Sequence, residues 1–141
     1  MQAVADTSPL IFLEALDALY LLSKCFEKIL IPEAVYEEWA PYEVPFFMEC
    51  PPLPEKGRAF VDGEIGRLHQ AELETIVLAR ELGIKFVLMD DLLARRKAVR
   101  MDLIPIGTLG ILKLALLRDI LTPQTVQRFV NELTAQHGMY L

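Results

Sequence analysis

The chain is poor in the residues that usually announce a zinc or redox centre. Its 141 residues include two cysteines, Cys25 and Cys50, and two histidines, His69 and His137. No CxxC pair occurs, so neither a disulfide framework nor a zinc signature is present. A reducing, cytoplasmic setting is the simpler inference. Basic residues are also short: 14 Lys and Arg against 20 Asp and Glu leave a net charge of −6. Nucleic-acid binders are normally basic, so this balance counts against one. The objection weakens where several acids hold a cation, because the ion offsets their charge and contacts phosphate directly. Long apolar runs are missing as well. Leu10 to Leu22 is interrupted by Glu14 and Asp17, which argues against a transmembrane span and a membrane partner. The N-terminus lacks the basic-then-apolar order of a signal peptide. There is no internal repeat and no low-complexity segment.

What is present suits a compact α/β fold. A hydrophobic share of 53% over this length predicts one domain, residues 1–141, with a substantial core. Strands are expected at Gln2–Asp6, Ile29–Ile31, Lys85–Met89 and Leu103–Ile106, with Met139–Leu141 as a possible edge strand. Ser8-Pro9 has the form of an N-cap followed by proline at the first helical position. A mostly apolar helix or helix pair follows, to Leu22. Pro32 starts a helix carrying Val35, Glu38 and Trp39. Pro41 through Pro54 holds five of the nine prolines and reads as a loop. Helical pattern resumes near Leu68 and ends at Gly83, a C-terminal cap. Further helices are expected at Asp91–Met101, after Gly107-Thr108, and from Thr122-Pro123. Alternating strands and helices predict a three-layer α/β/α fold with a mainly parallel sheet.

Two of these strands stop on aspartates that open helices. Ala3-Val4-Ala5 runs into Asp6, and Phe86-Val87-Leu88-Met89 runs into Asp90-Asp91. In an open parallel sheet such ends meet along the edge where ligands bind. Asp6 is spare if Ser8 caps the first helix. One of Asp90 and Asp91 caps the next helix; Asp90, the strand's last residue, is favoured as the ligand, with Asp91 as cap or helper. Helical spacing places Glu38 beside Ala34 and Val35 on the inward face, and Glu37 on a solvated one. Glu72 shares a face with Ile76 and Ala79, so it points inward, while Glu74 points outward. Crowded carboxylates imply a bound cation or a shared proton.

Other groups carry two readings each. Arg95, Arg96, Lys97 and Arg100 are either a solvated helix face or a source of phosphate contacts. Gly107-Thr108 with Gly110 is either an anion-binding helix start, through Thr108, or a tight turn. Tyr36, Trp39, Tyr42, Phe46 and Phe47 are core packing or a partner interface rather than base-stacking residues.

Four segments, in order, resemble the motifs of PIN-domain proteins. They are Val4-Ala5-Asp6-Thr7-Ser8-Pro9-Leu10-Ile11, Ile31-Pro32-Glu33-Ala34-Val35-Tyr36-Glu37-Glu38, Ala71-Glu72-Leu73-Glu74-Thr75-Ile76 and Met89-Asp90-Asp91-Leu92-Leu93-Ala94-Arg95-Arg96. Ile106-Gly107-Thr108-Leu109-Gly110 resembles a pattern of a subfamily close to the VapC-like toxins. The resemblance spans nearly the whole chain. It implies a five-stranded parallel sheet between helices and Mg²⁺- or Mn²⁺-dependent RNA cleavage by a cluster of acids. Carried over by motif, those acids are Asp6, Glu38, Glu72 and Asp90, with Asp91 as a further metal ligand and Thr7 or Ser8 as support. Carboxylate oxygens suit such hard cations, and metal-activated water dispenses with a catalytic histidine. The implied partners are an RNA substrate, a small antitoxin protein and a second copy in a homodimer. The aromatic loop or the terminal helix would be the docking surface. The competing readings are a PIN-like binding module with little or no nuclease activity and a receiver-like signalling domain. A receiver carries its acidic pair after the first strand and a late lysine; here the pair comes late and no lysine ends Leu103–Ile106.

Overall fold

The computed structural model describes residues 1–64 and 69–138. In it the strands β1 (Gln2–Ala5), β2 (Lys28–Leu30), β3 (Met48–Glu49), β4 (Phe86–Leu88) and β5 (Ile104–Ile106) form one sheet in the order β3-β2-β1-β4-β5. Every pairing is parallel, with Ala3 opposite Ile29 and Phe86, and Ala5 opposite Leu88. Helices cover both faces, which gives the three-layer α/β/α architecture expected of the sequence.

Side-chain alternation along each strand builds two cores. Ala3, Ala5, Ile29, Ile31 and Leu88 pack on one face. There they meet α1 (Thr7–Ala15), α2 (Leu21–Cys25), α7 (Thr108–Leu117) and α8 (Pro123–Gln136). Val4, Leu30, Val87 and Met89 point the other way, toward α5 (Gln70–Leu82) and α6 (Leu92–Arg100). The helix pair after β1 breaks at Asp17, whose φ of 55° is left-handed. Gly83 caps α5 in the left-handed region, with φ 68°.

Three elements differ from the sequence reading. The proline-rich segment contains β3, an edge strand held by Ile29 and Ile31 N–H groups donating to Phe47 and Glu49 carbonyls. Helix α4 (Glu55–Glu64) precedes α5 and was not anticipated. The aromatic group splits: Trp39 is buried in the core, whereas Tyr42 and Phe46 are fully exposed. The expected edge strand at Met139–Leu141, and the start of the helical pattern near Leu68, lie outside the described residues. Among those described, no helix is long and apolar enough to cross a membrane.

Candidate acidic active site

The strand order reverses between β1 and β4, and ligands of open α/β sheets bind beyond the carboxyl ends of strands at such a point. Both aspartate-bearing ends lie there. Asp6 N–H donates to Leu88 O at 2.8 Å, which carries the β1–β4 ladder to the aspartate itself. Met89 N–H donates to Ile106 O at 3.0 Å, which fixes the exit of β4 against β5.

Alternation then sends Asp90 and Asp91 to opposite faces. Asp90 goes toward α7, where its Oδ1 accepts from Thr108 N–H and its Oδ2 from Thr108 Oγ1, both at 2.7 Å. Asp91 goes toward α5. Its Oδ2 accepts from Ala94 N–H at 3.0 Å and caps α6, as one member of the pair was expected to do. Gly107 makes room for this turn. A Cβ there would lie 2.6 Å from Arg95 Nη1 and 3.0 Å from Asp90 Oδ1. Thr108 is wholly buried, with both its donors spent on Asp90. It therefore braces the aspartate rather than touching phosphate, a correction to one of its two sequence readings.

Asp6 also corrects the capping argument. It is itself the N-cap of α1, accepting from Thr7 N–H at 2.8 Å through Oδ1. Ser8 does not cap; it lines the cleft. Thr7 is buried beneath Asp6, and its Oγ1 has no hydrogen-bond partner.

Asp6, Ser8, Glu38, His69, Ala71, Glu72 and Asp91 line one cavity of about 450 Å³. An adjoining cavity of about 400 Å³ is lined by residues including Ser8, Asp90, Asp91, Arg95 and Gly107. Glu38, on α3 (Glu33–Trp39), is exposed rather than inward-facing; Val35 and Trp39 fill the core instead. Glu38 still reaches the cavity. His69 lines it too, an unanticipated member whose only sequence signal is its place three residues before Glu72.

Burial raises the Asp6 pKa from 3.8 to about 6; the Thr7 N–H opposes that rise, and the charges of Glu38, Asp90 and Asp91 add to it. Burial likewise raises Glu72 from 4.5 to about 7, helped by the charges of Asp6 and Asp91 and by direct contact with the Asp91 carboxyl. Glu72 Oε2 is buried with no hydrogen-bond partner. Two carboxyl groups in contact, one with an orphaned oxygen, need a proton or a cation between them. The all-oxygen donor set fits a hard divalent ion. Among the described residues, no three Asp, Glu, His or Cys side chains yet converge on one point. The acids share a cavity but are not drawn together.

Glu74 reverses its sequence assignment. It is 1% exposed and ties three helices together. Its Oε2 pairs with Arg58 at 2.9 Å and accepts from Gln70 Nε2 at 2.8 Å, while its Oε1 accepts from Ala34 N–H at 3.2 Å. The last bond caps the N-terminus of α3, where Pro32 supplies no side-chain cap. Glu74 thus holds the helix of Glu38 against the helix of Glu72.

A family model described as the PIN domain matches residues 2–141. The chain belongs to the PIN-domain family. The parallel five-stranded sheet between helices is consistent with that membership, and PIN domains are a nuclease-type fold that typically uses divalent metal ions. No curated relative matches the chain.

Proposed function

We propose that this PIN domain is an endoribonuclease that hydrolyses RNA phosphodiesters with Mg²⁺ or Mn²⁺, as the toxin of a toxin–antitoxin pair. The observation that carries the nuclease reading is the buried Glu72 carboxyl, one oxygen of it without a hydrogen-bond partner, in the cavity that it lines together with Asp6, Glu38 and Asp91. Asp6, Glu72 and Asp91 would hold the ion, with Glu38 reaching in from its exposed position. Asp90 would act one step away, braced by Thr108 and flanking the same edge. A divalent ion at this place supplies an activated water and offsets charge on the phosphate.

The chain's own residues prepare the reaction in three ways. Burial and mutual repulsion keep Asp6 and Glu72 poorly satisfied, which favours cation uptake over proton retention as pH rises. The Thr7 N–H and the Asp91 cap fix two carboxylates by their backbones, so positioning does not depend on long side chains. Ser8, common to both cavities, is a donor at their junction for a phosphate oxygen or a bound water.

The binding-module reading draws on one observation, that among the described residues the acids do not converge. Incubation of the purified protein with single-stranded RNA and Mn²⁺ separates the two. Cleavage that is abolished by EDTA and by Asp6→Asn or Glu72→Gln supports the nuclease. Cleavage retained by both variants refutes the assigned site, and no cleavage of any RNA leaves the binding module. Binding of a small partner protein that suppresses cleavage tests the toxin role.

A further inference from the structure

On the far side of Arg95 from the acids lies a depression of about 360 Å³, lined by Arg95, Arg96, Val99, Arg100 and Pro105. Its floor is apolar: Val99 is 59% exposed, and Pro105 belongs to the edge strand β5. Three arginines line it, of which Arg95 turns its Nη1 toward Gly107 and Asp90 while Arg96 and Arg100 belong to the exposed face of α6. Arg96 and Arg100 are one helical turn apart and exposed, a like-charge spacing that costs a helix stability. Among the described residues none of the three arginines forms an ion pair; the pairs present involve the N-terminus, Lys28 and Arg58. On a chain of net charge −6, unrelieved cations concentrated at one place call for an anion from outside.

The depression adjoins the acidic cleft through shared lining residues. The acid cavity shares Ser8 and Asp91 with the cavity of Asp90 and Gly107, and that cavity shares Arg95 with the arginine-lined groove. We propose that the outer face of α6 is a track for a single-stranded RNA, running from the acid cavity past Arg95 to a nucleotide subsite. In that subsite a base lies on Val99 and Pro105, and Arg96 and Arg100 hold the adjoining phosphates. Guanidinium groups suit this role through their planar donors, and an apolar floor accepts a base face without sequence preference. An acidic peptide would satisfy the arginines equally but would be repelled where the track enters the carboxylates; a polynucleotide whose phosphate meets a cation there is not. The proposal rests on the nuclease reading for its direction along the cleft.

The test is binding of a labelled single-stranded RNA to the full chain with Ca²⁺ in place of Mn²⁺, so that a divalent cation faces the carboxylates while Mn²⁺-dependent cleavage is off, across a salt series. Arg96→Gln/Arg100→Gln is compared with Lys24→Gln/Lys113→Gln, which removes the same charge from exposed positions elsewhere. Circular dichroism checks that both remain folded. The arginine variant should bind about tenfold more weakly, and its log K against log salt slope should fall by about 1.4, at roughly 0.7 per phosphate of a single strand. The lysine variant should match the wild type. Equal loss in both variants, no loss in either, or no RNA binding by the wild type overturns the track. So does oligoglutamate binding as tightly as RNA with the same dependence on Arg96 and Arg100, which would mark a surface for an acidic protein. A parallel Mn²⁺ cleavage assay keeps the readings apart. Arginine-dependent binding without cleavage removes the nuclease and leaves the track; cleavage with arginine-independent binding does the reverse.

Discussion

Replacing Asp6 with asparagine should stabilise the metal-free protein, although Asp6 caps α1. The carboxyl is 4% exposed, and its pKa is raised from 3.8 to about 6. A raised carboxylate binds its proton more tightly in the folded chain than in the unfolded one. The stability this provides is full below pH 3.8 and is lost as pH rises through about 6. The rise corresponds to about 3 kcal/mol of unfavourable charge burial at alkaline pH, at ~1.4 kcal/mol per unit. Asparagine removes that charge and keeps an oxygen for the Thr7 N–H. The bond to it becomes neutral, which costs about 1 kcal/mol. The net expectation at about pH 8 in EDTA is a gain of about 2 kcal/mol, or a melting temperature higher by roughly 6 °C for a chain of this size. The gain should shrink toward acid pH. Saturating Mn²⁺ reverses the order, because a ligand at a hundred times its Kd adds about 2.7 kcal/mol to the wild type alone. Thermal melts of both proteins with EDTA and with Mn²⁺, over a pH series, measure this. An asparagine variant less stable than wild type in EDTA at alkaline pH, or equally stabilised by Mn²⁺, would refute the reasoning.

Glu74→Ala should lower unfolding free energy by about 2–4 kcal/mol, since it strands Arg58 and the Ala34 N–H and breaks a largely buried pair; urea denaturation checks it, and a change within about 0.5 kcal/mol would show the strut to be idle. Gly107→Ala should weaken Mn²⁺ binding in calorimetry while the fold survives, because the new Cβ displaces Arg95 and Asp90; unchanged affinity would show that Asp90's placement does not matter to the site. Mn²⁺ affinity should rise with pH through about 6 and about 7, as Asp6 and Glu72 release their protons; affinity flat across that range would mean these two carboxyls are not ligands.

The strand ends were legible because apolar runs halting on Asp6 and on Asp90-Asp91 leave few alternatives in a parallel sheet. Asp91 as the cap of α6 was legible too; the face that each aspartate takes was not, since β4 has three residues and its phase becomes visible only against α5 and α7. Glu74 was hidden for a related reason. Helix α5 is buried from Ala71 through Ala79, so it has no solvated stripe for periodicity to find. Its partners Arg58 and Ala34 come from separate helices. The exposure of Glu38 and the capping by Asp6 each turn on where a helix begins, and boundaries shift by a residue or two without altering the pattern. Strand β3 has two residues and exists because β2 offers an open edge, which composition alone does not reveal.

Anomalous diffraction from crystals soaked in Mn²⁺ addresses the central claim most directly. A single strong peak, or a close pair, should lie within ligand distance of Asp6, Glu72 and Asp91, with Glu38 turned inward and the orphaned Glu72 oxygen engaged. A peak elsewhere, or none at a concentration that supports RNA cleavage, would contradict the assignment of this acidic edge as the metal site.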